Sequence, residues 1–163
     1  MSQEIQIAII AASSAIAGSV ISQIITGLLS WIDKKHQKQV LLRQKYEEMA
    51  LLYADSLEWF LNTASSTSYG QLSSLALPVK LKQVQILCSI YFPKLHDPAV
   101  QYANACNSYY QSILVNFNPA LNIPASFQAE TREEHKNVVK NITAARQSFD
   151  KAIIDFAKYY AKA

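Results

Sequence analysis

Residues 5–32 read IQIAIIAASSAIAGSVISQIITGLLSWI, and no charged side chain stands between Glu4 and Asp33. As a helix rising about 1.5 Å per residue, a stretch of 28 residues is long enough to cross a hydrocarbon core of roughly 30 Å. From Ile7 to Leu29 ten positions are strongly apolar: Ile7, Ile9, Ile10, Ile16, Val20, Ile21, Ile24, Ile25, Leu28 and Leu29. On an insertion scale they contribute on the order of −3 to −6 kcal/mol, from which Ser13, Ser14, Ser19, Ser22, Gln23 and Thr26 subtract. This pattern predicts one transmembrane helix over 5–32 behind a short tail, 1–4. Burial of the same helix inside a soluble oligomer is the competing arrangement. A cleaved signal peptide fits less well, because Met1-Ser2-Gln3-Glu4 carries an acid and no base, and Ala15 and Ala17 make a poor cleavage site.

The flanks orient this segment. Trp31 is placed as an interfacial aromatic, and Lys34, Lys35, Lys38, Arg43 and Lys45 follow against the early acid Asp33. Basic residues crowd one end and are missing from the other, which predicts an N-terminus outside and residues 33–163 on the cytoplasmic side. In a bacterium this is the inner membrane. The same five cations would attract anionic lipid headgroups at roughly 1 kcal/mol each.

Inside the span Ser14, Gly18, Ser22 and Thr26 recur every four residues, a row of small side chains that lets two helix backbones approach closely. Gln23 lies beside the row and can hydrogen-bond across a helix pair. These residues predict association with a partner helix or with copies of the same chain.

Downstream the pattern is helical throughout, with helices expected at about 33–62, 75–92, 97–117 and 126–161. Leu42, Tyr46, Met49, Tyr53, Leu57 and Phe60 mark an inner face on the first. The small polar stretch from Thr63 to Ser74 reads as a loop. Val84, Leu87, Cys88 and Tyr91 mark the second helix, which Pro93 stops. Asp97 and Pro98 read as N-cap and first position of the third. Before the last helix, Thr131 and Glu134 have the spacing of a capping box. Val138, Ile142, Ala145, Phe149, Ala152, Phe156 and Tyr159 then alternate steps of four and three. Four helices with short connections and one apolar stripe each predict an all-α, antiparallel bundle, with the long first and last helices paired. No internal repeat or alternating strand pattern is present.

Composition narrows the chemistry. A net charge of +3 is too small an excess for a nucleic-acid binder. Cys88 and Cys106, the two cysteines, sit in apolar helical patterns and read as buried free thiols. His36, His96 and His135 are scattered one per segment, and no Glu-x-x-His occurs, so no metal site is expected. Gly-x-Ser-x-Gly and glycine-rich phosphate loops are absent. Glu47, Glu48, Glu130, Glu133 and Glu134 stand among Lys and Arg as solvated or helix-starting acids. The neighbours Trp59-Phe60, Tyr109-Tyr110 and Tyr159-Tyr160 cannot all face one core, so some of these rings are expected at the surface, where tyrosines cover the bundle's edge, or at a helix–helix seam.

The expectation is thus a membrane-anchored interaction or assembly protein without enzymatic activity. Its partners are the bilayer and either another protein or its own copies; no cofactor, metal, nucleic acid or small-molecule substrate is apparent. The alternative is an oligomeric membrane-active protein that forms or gates a pore, with the small-residue row facing water.

Overall fold

Four of the five prolines stand where the chain changes direction. Pro78 precedes helix α3 (Val79–Tyr91), Pro93 is the first residue of α4 (Pro93–Asn116), Pro119 opens a 3-10 turn (Pro119–Leu121), and Pro124 precedes α5 (Ala125–Ala129). A proline has no N–H to give, so these positions cost no helical bond. The remaining elements are α1 (Gln3–Ser65), α2 (Tyr69–Ser74) and α6 (Glu133–Tyr160). This computed structural model describes residues 3–76, 78–130 and 132–160, with side chains from Ser19 onward apart from Ile21. Among the described residues the chain is all-helical, with no strand.

The chain forms two units, one up to Leu41 and one over 42–162. The first is the N-terminal part of α1, which already includes Gln3 and Glu4, expected in a tail. Among the described residues no helix is long and apolar enough to cross a membrane, so the span expected over 5–32 finds no support there. The side chains of 5–18 and of Ile21 lie outside the described residues.

The second unit is a four-helix bundle. Its paired side chains give the direction of each helix. Tyr46, Tyr53 and Phe60 descend α1 while their ring partners Phe92, Tyr102 and Tyr109 descend α4, so these two run parallel. Phe92, Tyr102 and Tyr109 in turn meet Tyr160, Phe149 and His135, so α6 runs against them. Trp59 Nε1 donates to Leu75 O at 2.7 Å and Lys80 pairs with Asp55 at 3.4 Å, which sets α3 antiparallel to α1. The result is an up-down-up-down bundle in which α1 and α6 pair as expected. Tyr46 Oη donates to Ile153 O, and Tyr53 Oη donates to Asp150 Oδ1 at 2.6 Å.

Several local expectations are corrected. The stretch read as a loop over 63–74 is largely helical: α1 runs to Ser65, and α2 is capped by Ser68, whose Oγ accepts from Gln71 N at 3.3 Å while Gln71 Oε1 accepts from Ser68 N at 3.3 Å. The hydroxyls that suggested a loop here cap or back-bond to helix carbonyls, as Thr63 Oγ1 does to Trp59 O at 2.9 Å. Helix α4 starts at Pro93, ahead of the expected Asp97 and Pro98, because burying Phe92 and Leu95 turns the chain earlier; Pro98 lies inside the helix. The last expected helix is two, α5 and α6. Ala125 N donates to Ser66 O at 2.9 Å, which ties α5 to the end of α1, and Ala125 and Ala129 are buried. The capping role expected of Thr131 lies outside the described residues.

Most of the tyrosines lie inside, Tyr46 and Tyr53 on the inner face expected of them. Tyr46, Tyr53, Tyr102, Tyr109 and Tyr110 are core residues, no more than 7 % exposed. Neighbours can both be buried because α4 is covered on several sides: Tyr109 packs on Phe60 of α1 while Tyr110 faces Trp59 and donates to Leu72 O at 3.0 Å. On α6 the apolar stripe holds to Phe156, but its last step falls on Tyr160, which stacks on Tyr46, and leaves Tyr159 exposed.

Candidate functional site

The residues expected to act lie on α1. Ser14 and Gly18 lie outside the residues whose side chains are described. Ser22, Gln23 and Thr26 are exposed, and Thr26 Oγ1 donates to Ser22 O at 2.9 Å, so this hydroxyl is satisfied within its own helix. Val20, Ile24, Ile25, Leu28, Leu29, Trp31 and Ile32 are 48–62 % exposed. At about 100° per residue these seven fill one half of the helix circumference, and Ser22, Gln23, Thr26, Gly27 and Ser30 fill the other. A β-carbon added at Gly27 would meet nothing within 4 Å.

The basic run divides. Lys34, Lys35 and Lys38 are exposed and, among the described residues, pair with no carboxylate; Lys35 Nζ lies 5.5 Å from the centre of the Trp31 ring. Arg43 is bonded to Glu47 at 3.0 Å and Lys45 to Glu48 at 2.6 Å. Net positive charge therefore remains on the three lysines nearest the apolar segment, and the other two expected cations are locally compensated.

The bundle holds a second feature, a cavity of about 520 Å³. Phe60 of α1, Tyr109 of α4, Phe127 of α5 and Val139 of α6 form apolar walls, and His135 and Glu130 line it as well. His135 is 4 % exposed. Its Nδ1 is 2.9 Å from Ser112 Oγ, and Ser112 Oγ also lies 2.8 Å from Tyr109 O, to which it donates. Both contacts are hydrogen bonds together only when the hydroxyl gives its one proton to that carbonyl and the ring donates from Nδ1, an assignment that leaves the lone pair on Nε2. Nε2 makes no hydrogen bond among the described residues. Among the described residues no fully enclosed side-chain polar atom lacks a partner, so Nε2 is not sealed off, and the open space that His135 lines is this cavity. Burial pushes the imidazole below its ordinary pKa, opposed by the charge of Glu130, which keeps the ring neutral near pH 7.

Nothing in the sequence pointed to this cavity. His135 looks like one isolated histidine of three, and its partners Phe60, Tyr109 and Phe127 come from three other helices. His36 is exposed and His96 pairs with its neighbour Asp97 at 3.1 Å. Among the described residues no group of His, Cys, Asp and Glu side chains could hold a metal ion. Cys88 and Cys106 are free and buried, and burial pushes each thiol up to about 12.

No protein-family model, no curated protein and no solved structure matches this chain.

Proposed function

We propose that this protein is a membrane-anchored helical interaction or assembly protein without enzymatic activity. Its N-terminal segment holds it in a bilayer, and its bundle, on the cytoplasmic side, engages another protein or its own copies. The observation that carries the reading is the exposed apolar half of α1 over Val20–Ile32, within a stretch uncharged from Glu4 to Asp33 and followed at once by three uncompensated lysines. Seven half-exposed large side chains keep on the order of 10 kcal/mol of transfer free energy unrealised in water. A hydrocarbon phase would absorb that surface, and Lys34, Lys35 and Lys38 would meet the headgroups on the cytoplasmic side. Crosslinking in intact membranes, followed by detergent extraction and affinity capture, tests the assembly role. A discrete adduct, with itself or with one reproducible partner, is expected; recovery of monomer alone contradicts it.

A second reading is favoured by one observation, the arc of Ser22, Gln23, Thr26, Gly27 and Ser30 opposite the apolar half. Copies that turned this arc inward would line a pore or its gate. A β-carbon at Gly27 meets no atom within 4 Å, so Gly27→Leu is aimed at neighbouring copies. This reading expects ion leakage from vesicles carrying the native chain and its loss in Gly27→Leu; absence of leakage from the native protein refutes it.

A further inference from the structure

The cavity against His135 is furnished for a ligand that donates hydrogen bonds. Its walls are the rings of Phe60, Tyr109 and Phe127, and its free acceptors are the lone pair on His135 Nε2 and the carboxylate of Glu130, beside the hydroxyl of Ser126, which can donate or accept. Neither receives a hydrogen bond from the described residues. The one cation on the lining, Lys136, has its ammonium on Glu133 Oε1 at 2.6 Å. A volume of about 520 Å³ falls in the range of small-molecule sites. Aromatic faces attract a cation, and a carboxylate with a neutral imidazole accepts the N–H bonds of an ammonium group.

We propose that this cavity binds a primary amine carried on an aromatic or similarly flat apolar body, with the ring against Phe60, Tyr109 and Phe127 and the ammonium donating to His135 Nε2 and Glu130. The site lies wholly within the bundle and does not depend on the membrane reading. A carboxylate of the same shape would face the charge of Glu130 and an imidazole lone pair, with only the neutral hydroxyl of Ser126 to donate to it. The charge of Glu130 therefore makes the cavity favour amines over acids.

The test uses the full chain in a non-ionic detergent, with 2-phenylethylamine as the probe and 3-phenylpropionate as the acid of matching body. Titration calorimetry gives affinity, and the imidazole nitrogens in a histidine-labelled sample report contact at Nε2. Saturable binding of the amine is expected, with movement of one imidazole Nε2 signal that disappears in His135→Phe, and at least ten-fold weaker binding of the acid. Glu130→Gln alters an exposed side chain and leaves the core intact; it is expected to weaken the amine about ten-fold. Equal binding of amine and acid, or binding that leaves every imidazole signal in place, overturns the proposal. So does unchanged affinity in Glu130→Gln, or no binding of the amine at all.

Discussion

Replacing Phe149 by alanine is the sharpest test of the bundle. Its ring is fully buried, 4.9 Å from Tyr53 at 73° and 6.1 Å from Tyr102 at 30°, where α1, α4 and α6 meet. Truncating a buried phenylalanine costs about 3–5 kcal/mol, and the spread depends on how far the surroundings close into the gap. Here they close poorly, because Tyr53 is held by its hydroxyl on Asp150 at 2.6 Å and Tyr102 sits with Ser56 at 3.5 Å. Two ring contacts, about 0.5–1.5 kcal/mol each, also go. The expected loss is therefore near the upper end, about 4 kcal/mol. For a unit of about 120 residues this lowers the melting temperature by roughly 16 °C. The assay is thermal unfolding of the full chain in detergent, followed by the fluorescence of Trp59, which is buried; Trp31 is exposed and adds a constant background. Phe149→Leu, which refills part of the space, should recover more than half. A loss below about 1 kcal/mol would mean that the aromatic layer does not hold α1, α4 and α6 together.

Three further outcomes follow from the same contacts. Tyr53→Phe removes one hydroxyl while Asp150 keeps Arg146 at 3.6 Å, so it should cost about 1 kcal/mol, or roughly 4 °C in the same melt; no change would show the bond to be idle. His135 has a lowered pKa in the fold, chiefly from burial, so the unfolded chain takes up its proton first as pH falls. Stability should hold above about pH 6.5 and decline below it, and His135→Gln should flatten that decline in urea titrations between pH 8 and 5; identical slopes would count against a buried neutral ring. Both thiols are buried and pushed up to about 12, so an aromatic disulfide reagent at pH 8 should release thiolate only from the unfolded chain. Prompt reaction of the native protein would place either cysteine outside the core.

Much of the bundle was legible because local rules were enough to write it. The stripe from Val138 to Phe156 has the period of a helix packed on one side, and Pro93 marks a real corner. Where several elements converge, single-helix reasoning loses its hold. Tyr109 and Tyr110 point to different sides of α4 and are both buried, because a central helix has more than one inner face. The hydroxyl-rich stretch around Ser68 read as loop because serine and threonine compete for backbone bonds, and the same competition caps α2. The cavity at His135 was illegible in principle: its walls lie up to 79 positions apart, from Phe60 to Val139, and no local spacing connects them. The row from Ser14 to Thr26 drifts around the helix, whereas over Ser22–Ser30 the small and polar positions share one half of its circumference.

The central claim is that the segment before Asp33 sits in a bilayer with the bundle on the cytoplasmic side. The most direct measurement is carbonate extraction of membranes from cells expressing the full chain, joined to protease accessibility of tags at each end. The account predicts retention in the pellet, release only by detergent, and cleavage of the N-terminal tag alone when intact cells or cytoplasm-in vesicles are treated. Recovery of the chain in the carbonate supernatant would contradict it and would mean that protein, not lipid, covers Val20–Ile32.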